Sequence, residues 1–323
     1  MSNKRIVVLG GGTGTFTVLT GLKRHPVDLS AVVSVADNGG STGILRDELG
    51  VLPPGDIRQC LVALSAGDDT LRRLFTYRFH EGSLSGQNFG NLFLSALEKV
   101  CGNSLVAIQE AHRILNVRGR VIPVAPIASN LFAELRDGSV LEGEHAIDIM
   151  QVPLSSIQRC FLSPSVQANG EAVQAIMQAD AVVIGPGDLY TSLVPVLLVD
   201  GIPQALAMSK AKKIYILNLV APKGQADQFS AKSYCDAISL AMSPAKIDSV
   251  IVNSAQPDVE LLKKYEISGD TRMKDDLEGT SYASVRANLL AGAVSDRTPG
   301  DHLQRSLLRH DPEALAEAIL GLL

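Results

Sequence analysis

Three segments combine glycines with hydroxyl, amide or carboxyl side chains, and each follows a short apolar run. The first is Gly10, Gly11, Gly12, Thr13, Gly14 and Thr15, after the apolar residues 6–9. Glycines let the backbone approach an anion closely, and a helix start offers free N–H groups and a positive dipole end. That chemistry suits phosphate or pyrophosphate, or the segment is simply a tight strand-to-helix turn. It is not a strict dinucleotide fingerprint, because Thr15 stands where the third glycine would fall, and it lacks a P-loop lysine. The second segment runs Asp37, Asn38, Gly39, Gly40, Ser41 and Thr42. An acid at such a strand end holds a ribose hydroxyl in dinucleotide folds. Asp37 equally suits a divalent ion or a base, and a turn rich in residues tolerant of unusual dihedrals is the plainer reading. The third contains Gly185, Pro186, Gly187, Asp188, Tyr190 and Thr191 after residues 181–184. Asp188 opens the next helix, and capping that helix is its expected role.

Further candidates lie between these turns. Asp56, with Gln59 three residues on, matches a capping box; Arg58 in the same turn could grip a phosphate with two N–H groups. Arg46 is another cation of this kind. Asn88 and Asn91 precede an apolar helix and either reach a ligand or cap it. Asp37 and Asp56 are the catalytic candidates if the chain is an enzyme. The six histidines are scattered and suggest no metal site; no G-x-S-x-G elbow occurs, and no Tyr-x-x-x-Lys pattern accompanies the first turn. A nucleophilic hydrolase and a nicotinamide dehydrogenase are both disfavoured.

These turns need a scaffold that brings strand ends together. Residues 5–9, 29–35, 181–184, 213–217 and 249–252 are short apolar runs of the kind found in buried parallel strands. Helical spacing separates or follows them at 56–65, 70–79, 87–101, 104–116, 171–179, 188–199, 230–242 and 312–322. Alternating strands and helices predict an α/β fold, a Rossmann-like parallel sheet flanked by helices. In such sheets ligands collect at the carboxyl ends of strands. Residues 119–152 break the rhythm. Asp137-Gly138 between two extended runs predicts an antiparallel hairpin excursion there. Residues 266–283 are polar and aperiodic and read as a long loop.

The 323 residues fit one large domain spanning 1–323. Lys and Arg total 29 against 34 Asp and Glu, so there is no basic excess to hold nucleic acid. No tryptophan and 4% aromatics also disfavour a base-stacking platform. The four cysteines have no C-x-x-C spacing and read as reduced thiols. No apolar run approaches a membrane span or a signal-peptide core, so a cytoplasmic protein without membrane insertion is expected.

Taken in order, GGGTGT at 10–15, ADNGGSTG at 36–43, PPGDIRQC at 53–60, YRF at 77–79, GQNFGNL at 86–92 and GPGDLYTSLVP at 185–195 resemble one family. It is the gluconeogenesis factors, the YvcK-type branch of the CofD-like superfamily. The resemblance covers nearly the whole chain. It implies a cytoplasmic homodimer that binds a UDP-sugar or another diphosphate nucleotide and links central carbon flow to envelope synthesis and cell shape. The enzymatic branch of the superfamily, 2-phospho-L-lactate transferase, implies the alternative, with magnesium entering only if the chain catalyses a reaction. By motif match, residues 10–15 hold phosphates, residues 37–42 line the pocket, Asp56 and Arg58 face it, and residues 185–191 form the opposite wall. The chain departs from the pattern where Asn38 replaces a second Asp, Gln87 replaces His and Asp188 replaces Ser.

Overall fold

The computed structural model describes residues 3–148, 156–221, 230–257, 271–292 and 308–323. Its centre is a seven-stranded sheet built from β1 (Lys4–Gly10), β2 (Val27–Val33), β3 (Arg120–Pro123), β7 (Ala181–Ile184), β8 (Lys212–Ile216), β10 (Ser249–Asn253) and β12 (Ser284–Ala287). The order across the sheet is β12-β10-β8-β7-β1-β2-β3, and every pair is parallel. Chain order reverses between β1 and β7, which makes that gap the topological switch point.

The unbroken apolar runs have a simple cause. Successive strand side chains point to opposite faces, and here both faces are covered. Val7, Leu9, Val182, Ile184 and Tyr215 join one core. Ile6, Val8, Ala181, Val183 and Ile214 join the other. The first core packs against the helix α8 (Gly170–Gln178) and the helices Ile202–Met208 and Ala231–Ala241. The second takes α1 (Gly12–Leu22), α3 (Pro54–Leu64), α6 (Ser104–Ile114) and the helix Pro312–Leu320. α1 lies so close to that last helix that a Cβ on Gly21 would stand 1.9 Å from the Pro312 carbonyl oxygen. The remaining helices near the site are α2 (Gly40–Leu49), α4 (Asp69–Thr76), α5 (Phe89–Cys101) and α7 (Glu144–Asp148).

The antiparallel excursion is present with different limits. β4 (Asn130–Leu135) and β5 (Val140–Glu142) form the hairpin, and Gly138, at φ +86°, makes its turn. A third strand, β6 (Ile157–Ser163), pairs with β4 on the other side. Residues 120–123 belong instead to the parallel sheet as β3, because their apolar side chains are buried on both faces. Residues 149–152 lie outside the described residues. The segment 266–283 is not all loop: β11 (Thr271–Arg272) pairs with β9 (Val220–Ala221), while residues 266–270 lie outside the described set. All four cysteines are free, and among the described residues no helix is long and apolar enough to cross a membrane.

Candidate functional site

The three glycine-rich turns follow β1, β2 and β7, which are neighbours in the sheet, so they stand side by side at its carboxyl edge. The first turn needs its glycines. Gly10 and Gly12 have φ of +144° and +66°, values that side chains rarely adopt. A Cβ on Gly14 would lie 1.9 Å from the Pro186 carbonyl oxygen, so the first and third turns are seated directly on each other. Gly185 N–H also donates to the Leu9 carbonyl, at 3.2 Å. Gly11 is the N-cap of α1 and provides no side-chain acceptor. Thr15 is fully buried beside Gly10, and its Oγ1 has no partner.

The second turn is braced from below. Asp37 Oδ1 accepts from Gly39 N at 2.8 Å, and α2 begins at Gly40 with no side-chain cap. Ser41 Oγ donates to Gln87 Oε1 at 2.8 Å and accepts from Asn91 Nδ2 at 3.3 Å. Asn88 caps α5 by accepting from Asn91 N at 3.1 Å. Arg58 is buried in this layer. Its Nε donates to Asn91 Oδ1 at 2.8 Å and its Nη1 to the Phe75 carbonyl at 3.3 Å. Asn88, Asn91 and Arg58 thus form a polar floor under Ser41 and Thr42. Arg46 reaches sideways, with Nη2 donating to Asn130 Oδ1 of β4 at 2.5 Å while its buried Nη1 has no partner. Asn38 ties in the antiparallel wing, accepting from His145 N at 3.2 Å while Gly143 packs on its amide.

Carboxylates crowd this edge. Asp56 is not part of a capping box. α3 begins at Pro54, and the Asp56 side chain crosses to the first turn, where Oδ1 accepts from Gly12 N at 2.8 Å. Burial and the charge of Asp37 push Asp56 up to about 7, against the pull of Gly12 N–H and Arg58. Burial also raises Asp37, opposed by the hydrogen bonds of Gly39 and Thr42 and by Arg46 and Arg58. Sequence reasoning missed Glu144, at the start of α7. It is buried, its Oε1 has no partner, and burial together with Asp37 and Asp56 holds it well above the usual carboxylate range. Asp148, at the end of α7, is raised to about 6 by desolvation of its carboxyl and by the charges of Asp188 and Asp37, against a hydrogen bond from Thr191. No short-range signal marked Glu144 or Asp148, because both sit in a wing whose docking is a tertiary matter.

The third turn corrects one expectation. Asp188 precedes a π-helical turn, Leu189–Leu193, but its side chain makes no capping hydrogen bond. Its carbonyl serves that start, accepting from Ser192 N at 2.9 Å and Leu193 N at 3.1 Å. The residue is exposed at the mouth of the site, while Thr191 is buried and Tyr190 half-buried. Asn218, also missed, clamps the turn from the loop after β8: its Oδ1 accepts from Gly187 N at 3.0 Å and its Nδ2 donates to the Gly187 carbonyl at 2.9 Å. Among the described residues no group of three His, Cys, Asp or Glu side chains converges as a ready-made metal site.

Fold and edge together define a Rossmann-like α/β protein whose polar side chains gather at the switch point of its sheet. A family model described as 2-phospho-L-lactate transferase CofD matches residues 6–290. The gluconeogenesis factor of Bacillus subtilis (strain 168) is 37% identical, with 99% of this chain and 98% of that protein covered. The gluconeogenesis factor of Halalkalibacterium halodurans is 38% identical, with 99% and 97% covered. A crystal structure of a UPF0052-family protein from Bacillus halodurans superposes with a TM-score of 0.90 at 36% identity, covering 99% of each chain. The chain belongs to the gluconeogenesis-factor branch of the CofD family.

Proposed function

We propose that this chain is a regulatory protein that binds a diphosphate-linked nucleotide, a UDP-sugar, as a cytoplasmic homodimer. Occupancy would report sugar-nucleotide supply and so link gluconeogenic carbon flow to envelope synthesis and cell shape. One observation carries the reading. α1 and α2 follow the neighbouring strands β1 and β2 at the carboxyl edge of the sheet, and neither has a side-chain cap, so their N-terminal N–H groups and dipoles face the edge where a diphosphate would lie. Residues 10–15 and 37–42 would hold phosphates and line the pocket, Arg46 would add a cation, and residues 185–191 would close the far side. Thermal melting tests this. At a hundredfold excess over Kd, a ligand that binds only the native state adds about 2.7 kcal/mol, which raises Tm by several degrees. No shift with UDP-glucose or UDP-N-acetylglucosamine at millimolar concentration would sink the proposal.

The transferase alternative draws on a different observation. Asp56 beside Asp37, raised to about 7, is poised to take a proton near neutral pH. A binder returns its UDP-sugar unchanged after long incubation with magnesium. Steady product formation that disappears in Asp37→Ala would favour the transferase.

A further inference from the structure

The first turn already holds an anion, and that anion belongs to the chain. Asp56 Oδ1 lies 2.8 Å from Gly12 N, the first N–H of α1. Its Oδ2 occupies the space beside Gly11, where an added Cβ would come within 1.9 Å of it. The carboxylate therefore lies against the Gly11–Gly12 backbone, with room to do so only because Gly11 has no side chain. A phosphate oxygen brought to this turn needs the same N–H and the same space. Two anions cannot share them, since like charges in a dry pocket repel strongly.

The groups facing Asp56 come from every surrounding element. Asp37 approaches from the loop after β2, Asp188 from the third turn and Glu144 from α7, while Arg58 and Cys60 share its own helix. Acids outnumber the one guanidinium in this shell, and Arg58 is held on Asn91 and Phe75. Among the described residues, Gly12 N–H is the hydrogen-bond donor that holds the Asp56 carboxyl. A carboxylate with one hydrogen bond and several like-charged neighbours is displaced more easily than one built into a network.

We propose that Asp56 is a built-in competitor for the anion site of the first turn, and that a phosphate-bearing ligand enters by taking Gly12 N–H from it. This rests on the reading of that turn as a phosphate site. A competitor that must be neutral or withdrawn makes binding pH-dependent. The ligand binds tightly where Asp56 carries a proton, and each deprotonated Asp56 must take up one proton from solvent or swing away. With a single competing proton, affinity falls about tenfold per pH unit above the titration of Asp56.

The test follows the Gly12 amide resonance in a 15N-labelled chain during titration with UDP-glucose and, separately, with sodium sulfate. Neither anion titrates between about pH 6 and about pH 8.5, so any pH dependence belongs to the protein. Wild type should bind both anions more weakly as pH rises. Asp56→Asn should bind at least tenfold more tightly than wild type at the upper pH and lose most of the pH dependence, the remainder coming from Glu144 and Asp148. Asp56→Ala, which cannot refill the space, should show the same gain and guards against an asparagine that keeps the turn closed or fails to fold. Equal affinity of wild type and both variants at the upper pH overturns the competitor. Sulfate binding that strengthens in the variants, with no UDP-glucose binding in any, leaves the competitor standing and overturns the nucleotide-sugar reading alone. A Gly12 amide that moves with neither anion in any variant overturns both.

Discussion

Asp68, Asn88, Asn103, Asn169 and Asp311 each close the start of a helix with a side-chain oxygen. Gly11, Gly39 and Asp188, at the starts of α1, α2 and the π-helical turn Leu189–Leu193, do not. A cap of the first kind contributes about 1 kcal/mol. Gly11 and Gly39 have no side-chain oxygen to offer, but Asp188 is as able to cap as Asp311, so at Asp188 the difference lies in where the side chain is placed. The capped starts are finished locally, within three residues, whereas these three follow the neighbouring strands β1, β2 and β7 and leave their first N–H groups to distant parts of the chain. At α1 the distant part is Asp56, forty-four positions away, and it arrives among other acids.

The largest effect expected comes from separating the open turns. Gly14→Ala would drive a Cβ to 1.9 Å from the Pro186 carbonyl, a backbone atom that cannot step aside. It should cost roughly 3 kcal/mol, seen as a lower urea midpoint. Gly170→Ala, at the start of capped α8 with nothing within 4 Å of the new atom, should be nearly neutral. Equal behaviour of the two variants would mean that the first and third turns are not seated on each other.

The second effect is electrostatic. Asp56 is raised from 3.8 to about 7 in the folded chain, so its ionised form is the one that burial penalises. Its contribution to stability is full below about pH 4 and is lost as pH rises through about 7, a difference on the order of a few kcal/mol. Asp56→Asn should therefore raise Tm at pH near 8, and the gain should vanish near pH 4. Asp311→Asn keeps a capping oxygen and should change stability by less than about 0.5 kcal/mol at either pH. A gain in Asp56→Asn that persists undiminished in acid would contradict the burial of a reluctant charge.

The smallest effects sharpen the contrast between the caps themselves. Asn103→Ala removes an oxygen that accepts from both Leu105 N and Val106 N, and should cost about 1 kcal/mol. Asp188→Ser removes no capping bond and should alter stability by no more than about 0.5 kcal/mol. Chemical denaturation of the two variants side by side measures the difference. An equal loss would show that Asp188 caps in solution after all.

Much of the architecture was legible from local pattern. Residues 6–9 and 181–184 are apolar at every position, and only a strand covered on both faces requires that. Asp137-Gly138 announced its turn because a left-handed backbone there favours glycine. Residues 120–123 were misplaced because a four-residue run does not reveal whether its partner is the next strand or one ninety positions earlier in the chain, as Ser30 is for Arg120. β6 was overlooked for a related reason: its outer residues are partly exposed, so its pattern is neither unbroken nor cleanly alternating.

By itself the sequence determined that three glycine-rich turns end three strands, and that the strands form a parallel sheet. Those are short-range matters, governed by backbone conformational freedom and by burial period. Only the tertiary structure decided what each turn meets. It brought the Asp56 carboxyl to Gly12, Asn218 to Gly187 and Glu144 in among Asp37 and Asp56, and it turned Arg58 down onto Asn91. None of those partners lies within thirty residues of the other, so no local spacing could record them. Sheet order placed β1 between β2 and β7, and the packing of the wing behind that edge set the burial and repulsion that give the carboxylates their character.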